Sequence, residues 1–320
     1  VDRPFALQDG VAAAVTSALA LKLPAPDLSP CDGANVEAYR AYLSGRYQLT
    51  RPSAERMRKA LTEFRRAIDL DPTCARAYAG MAFVYRALAM TGDQDPQINF
   101  PLAKAAVKQA LTINPALAEA YASQGFIGFW YDWDWADAEA SFKRAIELNP
   151  SLADARIAYA HLLNNIGRND EAAVQARQAV ALDPLSPLIN TLASSFVEHA
   201  GHPAEARQDL QRALELEPNF FVALLVRGGA SIVDHDYAGA IADLRRAREL
   251  CGDCSQAVAV LGEAYARAGD RDAAAQVLAD LQRRERTGYI PATSLAAVRN
   301  AMGDSEGALD LLERAYQQHD

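Results

Sequence analysis

The chain has 320 residues, half of them apolar and 23% charged, with a formal net charge of −9. That composition is folded rather than disordered, and the acidic balance without any basic run excludes the usual footprint of nucleic-acid binding. No stretch reaches the roughly 18 uncharged apolar residues of a membrane span.

The first element expected is a helix over residues 1–23, where Phe5, Leu7, Val11, Val15, Leu19 and Leu23 recur at helical spacing. Val11 to Leu21 has no basic leader and no small-residue cleavage site, so it reads as helix and not as a signal peptide. Pro24, Pro26, Pro30 and Gly33 then break the helix into a stiff linker. Residues 1–34 therefore read as a helix and Pro-rich linker, the tail of a preceding domain. Residues 35–320 read as one array.

The array is announced by an alanine at 60, 103, 138, 172, 206, 240, 274 and 308, with steps of 43, then 35, then 34 five times. Four residues on stand Phe64, Val107, Phe142, Ala176, Leu210, Leu244, Leu278 and Leu312. Three further on stand Ala67, Ala110, Ala145, Ala179, Ala213, Ala247, Leu281 and Ala315. Positions i, i+4 and i+7 share one helix face. Small residues there let a neighbouring helix approach, and the middle residue fills the gap.

Between units, Asp71-Pro72, Asn114-Pro115, Asn149-Pro150 and Asp183-Pro184 read as N-caps with proline in the first helical turn. Within units, Gly167, Gly201, Gly269 and Gly303 mark left-handed turns, and His235 falls on the same grid, so it is expected at positive φ. Asp236, Asp270 and Asp304 follow as N-caps of second helices. Extra residues near Thr50–Ser53 and Thr91–Pro101 should lengthen helices or loops. Cys-Gly-Asp-Cys at 251–254 should move a helix start to Asp253, and Gly288 with Pro291 should shorten the next first helix.

These features resemble the tetratricopeptide repeat, a 34-residue helix–turn–helix unit, with Leu261-Gly262, Tyr265, Tyr78, Met81, Ala82 and Tyr85 at the family's places. The resemblance implies an all-α, right-handed superhelical solenoid of about eight repeats. Phe5-Ala-Leu-Gln-Asp9, Glu37 to Tyr47 and Trp130 to Trp135 further resemble the C-terminal repeat region of bacterial multidomain signalling proteins. There the output module is a class III adenylate cyclase, a winged-helix regulator or a Ser/Thr kinase, often with a TolB-like segment. The implied role is a non-catalytic interaction or sensory module regulating an N-terminal output domain. The alternative is a free-standing scaffold or chaperone-type adaptor.

The family places its ligands in the groove formed by the first helices. Mapped here, that surface carries Arg76, Phe83, Arg86, Phe126, Phe129, Asp154, His161 and Asn164. The rings either anchor a bound protein or peptide or pack between units, and the arginines suit an acidic group. Lysine and asparagine at the places of a chain-terminus clamp are not spelled. Self-association is compatible with such arrays.

Residues suited to chemistry are few. Cys251 and Cys254 lack a second cysteine pair or a thioredoxin-like context, Cys31 and Cys74 stand alone, and a reducing cytoplasm is the expected compartment. His199 and His202 flank a turn without converging ligands. Asp132, Asp134 and Asp137 alternate with Trp133 and Trp135 where unit three turns; the tryptophans are expected to plug the junction and Asp134 to cap a helix. No phosphate loop or nucleophile elbow occurs. Catalysis, cofactors and metals have no support in the residues.

Overall fold

The computed structural model describes Cys31 and residues 35–49, 53–91 and 94–319. The helix and linker expected over residues 1–34 lie outside the described residues, Cys31 apart, as does most of the first insertion. Among the described residues there are sixteen α-helices and no strand. The first four pairs are α1 (Val36–Gln48) with α2 (Ala54–Leu70), α3 (Ala75–Thr91) with α4 (Pro96–Ile113), α5 (Ala118–Ile127) with α6 (Trp135–Leu148), and α7 (Ala153–Asn165) with α8 (Asn169–Leu182). The last four are α9 (Pro187–His199) with α10 (Pro203–Leu216), α11 (Phe221–Val233) with α12 (Tyr237–Cys251), α13 (Ser255–Arg267) with α14 (Arg271–Glu285), and α15 (Ala292–Ala301) with α16 (Ser305–Gln318). Every first helix touches the first helix of the next pair, apart from its own partner. The first helices thus form an inner layer and the second helices an outer one. This is the tetratricopeptide-type solenoid, in which each unit buries its apolar face only against its neighbours.

The repeated sentence is a packing code. All eight opening alanines and all eight residues seven places on are buried. Phe64 shows why the small residues matter: a Cβ added to Gly45 on α1, or to Gly80 on α3, would lie 2.6 Å from its ring. The ring is therefore clamped between its own unit and the next. Leu244 fills the same notch against Gly228, and Phe142 against Gly125. In unit seven the filler is Val277 against Gly262, one place from the expected Leu278. Leu312, with no following unit in the described residues, is exposed.

The turn grid is observed. Gly167, Gly201, Gly269 and Gly303 have positive φ, and so does His235, at 62°. Trp133 occupies the same place in unit three at φ 57°, after a π-helical turn over Gly128–Asp132. Asp134, Asp236, Asp270 and Asp304 accept amide hydrogen bonds as N-caps. The Asx-Pro pairs differ from expectation. Asp71, Asn114, Asn149 and Asp183 close the second helices as C-caps. The first three also accept from the amide two residues on, at 2.9–3.1 Å. A short polar side chain there folds an Asx turn, and the next helix starts only after the chain has reversed. Likewise Asp253 is a left-handed turn residue (φ 61°), and Cys254 is the N-cap of α13. The second insertion lengthens α3 and α4 to 17 and 18 residues, whereas α15 has only 10.

Two further features tie the ends down. Cys31 and Cys74, expected to stand alone, form a disulfide closing 43 residues of chain, and both are fully buried. Cys251 and Cys254 form a second. Cysteine usage therefore no longer points to a reducing compartment. Trp133 and Trp135 do not plug their junction; both are exposed. Trp133 stacks on Tyr316 and His319 of the last helix at 5.0 and 4.3 Å, and the His319 ring Nδ1 lies 2.7 Å from the Tyr131 carbonyl oxygen. The C-terminus of the array thus meets unit three. No helix among the described residues is long and apolar enough to cross a membrane.

Candidate functional site

The inner layer encloses a cavity of about 430 Å³. Its wall draws on the first helices of six consecutive pairs, with Tyr42 and Arg46 from α1, Arg76, Phe83 and Arg86 from α3, Glu119 from α5, Asp154 from α7 and Leu188 from α9. Phe220 and Phe221 at the start of α11, and Leu250 of α12, close the far end. The lining draws on successive units because the same helix place recurs once per unit, and its chemistry varies because those places are free of the packing code.

Four of the eight sequence-derived site residues line it: Arg76, Phe83, Arg86 and Asp154. Phe126 and Phe129 are interior, 4% and 5% exposed, in the core that continues into units three and four. Their rings meet edge to face at 5.1 Å, and Phe129 packs on Phe142. The positions that look inward in an ideal unit are here turned into the helix interface, where α5 passes into the π-helical turn. His161 sits behind the wall among Phe126, Phe129, Trp130 and Phe196, with ring centroids 5.3–6.3 Å away. Burial first, and then the Arg86 charge, push its pKa down to about 4, so it is neutral at pH 7. Asn164 is engaged with the His199 ring at 2.9 Å.

Arg86 is the unusual group. Its guanidinium lies 4.4 Å from the Phe83 ring centroid and 4.1 Å from that of Phe126, a cation held between two π faces. Its Nε is buried with no hydrogen-bond partner among the described residues. Burial pushes its pKa down to about 10, with Asp154 opposing, so it keeps its charge at neutral pH. Arg46 differs: burial would lower its pKa, but Tyr42, Asp154 and Glu119 raise it overall. Arg46 donates to the Tyr42 hydroxyl at 3.3 Å.

Sequence spacing did not find Arg46, Tyr42 or the Phe220–Phe221 doublet. The doublet directly before a first helix was the available signal for the far end. The acidic cluster of unit three does not form a reaction centre: Asp132 is ion-paired with Lys104 and Asp134 is spent as a cap. No metal-binding group is found among the described residues.

No protein-family model and no curated protein matches this chain. Solved structures do. The human IFIT1 dimer with m7Gppp-AAAA shares 16% identity over 88% of this chain and 72% of that one, with a TM-score of 0.61. Yeast Tom70 shares 15% over 98% and 69%, at 0.53. TTC0263, a thermophilic TPR protein of Thermus thermophilus, shares 19% over 61% and 99%, at 0.49. At these identities the likeness is one of fold.

Proposed function

We propose that this chain is a non-catalytic binding module whose inner groove holds a segment of another protein. The observation that carries this is the continuous cavity drawn from six first helices, with aromatic, aliphatic and charged groups interleaved along it. Such a surface matches an extended peptide, whose side chains reach successive units. We further propose that residues 35–320 are the array and residues 1–34 its connection to an output module. Occupancy of the groove would be passed to a cyclase, winged-helix or kinase unit on that side.

The binding half is tested with Leu188→Glu, which puts a charge on the groove wall. A partner bound by the wild type and lost by this variant, at unchanged helicity, supports the groove. Retention of the partner places binding elsewhere. The regulatory half is tested in the natural gene product by comparing output activity of wild type and Leu188→Glu with that partner present. Equal response, or a gene product with no such module, ends the regulatory half and leaves the binding half standing.

A further inference from the structure

Arg86 poses a question that packing does not answer. A cation taken from water carries a cost that is offset only by partners able to complete its hydrogen bonds. Two phenylalanine rings attract the charge but supply no acceptor, and Nε is left without one. The neighbouring His161 is neutral and turned into an aromatic nest, and Asp154, the carboxylate that acts on Arg86, makes no ion pair with it among the described residues. Yet the side chain lines the cavity. A fixed, planar guanidinium on a cavity wall, with its Nε left without an acceptor, suits a carboxylate ligand.

The rest of the wall narrows the choice of ligand. Glu119, Asp154, Asp183 and Glu217 line the same cavity as Arg46, Arg76 and Arg86, so a doubly charged phosphate or a nucleic-acid backbone meets acids beside the arginines. A single carboxylate at Arg86 meets less repulsion, because it carries one charge, although Asp154 acts on the same guanidinium. Tyr42, Leu188, Phe220 and Phe221 offer apolar surface on the same path. The lining is shared by six successive units, an arrangement along which an extended chain can present successive side chains.

Resting on the groove reading above, we propose that the Arg86 guanidinium held between Phe83 and Phe126 is the specificity contact for an internal Asp or Glu side chain of an extended peptide, with apolar residues beside it. The arginine thereby selects ligands rather than holding the fold. Two consequences follow. Replacing it by methionine, of similar length and without charge, leaves the thermal midpoint unchanged or raised. The same replacement costs binding at least tenfold, because the ligand carboxylate is then buried without a partner.

The experiment uses the whole chain against a displayed library of random 12-residue peptides, followed by synthesis of the tightest binders. The expected result is one Asp or Glu shared at a fixed position among them. Its change to Asn or Gln weakens binding at least tenfold in the wild type and less than twofold in Arg86→Met. Peptides that are lost on Leu188→Glu but carry no required acid overturn the Arg86 contact and keep the groove. If no selected peptide responds to Leu188→Glu, both fall. A fall in midpoint of several degrees in Arg86→Met overturns the selective role directly and assigns the arginine to cation–π packing. Binding of an oligo-A RNA that depends on Arg86 overturns the choice of a peptide carboxylate.

Discussion

The first four units and the last four use one packing code in different ways. In the first half the fillers are Phe64, Val107, Phe142 and Ala176; in the second they are leucines, with Val277 in the notch of unit seven. The first half also contains both insertions, the π-helical turn, the sandwiched Arg86 and most of the cavity wall. The second half keeps the strict 34-residue step. Most of the irregularity thus lies on the side of the site, while the second half departs from the repeat at the Asp253–Cys254 junction and the short α15. The regular half serves mainly as the wall that completes the superhelix and, through Trp133, Tyr316 and His319, returns to meet unit three.

The sharpest way to break this contrast is to empty the two kinds of filler. Phe64→Ala removes a ring clamped by two glycine notches and is expected to cost about 4 kcal/mol, against about 2 kcal/mol for the half-buried Leu210→Ala. Urea unfolding followed by circular dichroism measures both, and equal costs would erase the distinction. The disulfides differ in the same direction. Loss of Cys31–Cys74, by Cys74→Ser, is expected to cost about 4 kcal/mol for its long closed loop, and Cys251→Ser about 2 kcal/mol for its short one.

Acid should reach the first half before the second. His161 has a folded pKa of about 4 against an ordinary value of 6.5, so the unfolded chain binds its proton first. Its contribution is therefore complete above pH about 6.5 and is lost as the pH falls toward 4, by about 3 kcal/mol in all. His161→Gln should flatten the stability profile in that window. Glu139 acts lower: hydrogen bonds from Lys143, Tyr159 and Arg168 hold its pKa at about 2, so its contribution is lost only as the pH falls through 4.5 toward 2. An effect as small as any of these is expected in the regular half, where Gly228→Ala places a Cβ 2.6 Å from Cγ of the buried Leu244 and should cost about 2 kcal/mol.

The sequence made the fold legible because packing repeats with the chain. Alanine spacing located the helix pairs, and the turn grid located His235 at positive φ, since one backbone geometry recurs at one place. The same grid passes through Trp133, which was read for its ring and not for its position. Local polarity misled at Asp71, Asn114 and Asn149, where an Asx turn and an N-cap require the same residue types. Long-range pairs left no trace in spacing: Cys31 with Cys74 is set by how the first two units stack, and Trp133 with the last helix by the course of the whole array. The candidate site was half legible. Phe83 and Arg86 stand three residues apart on one helix and could be paired by eye, whereas the second ring on the guanidinium, Phe126, comes from the next unit after a disturbed step.

The central claim is that the inner layer, and not the outer one, is where this protein meets its partner. Hydrogen–deuterium exchange of the whole chain, with and without the tightest selected peptide, tests it directly. The predicted result is added protection confined to α3, α5, α9 and the start of α11. Protection that instead follows the second helices, or none at all on a saturated complex, would contradict it.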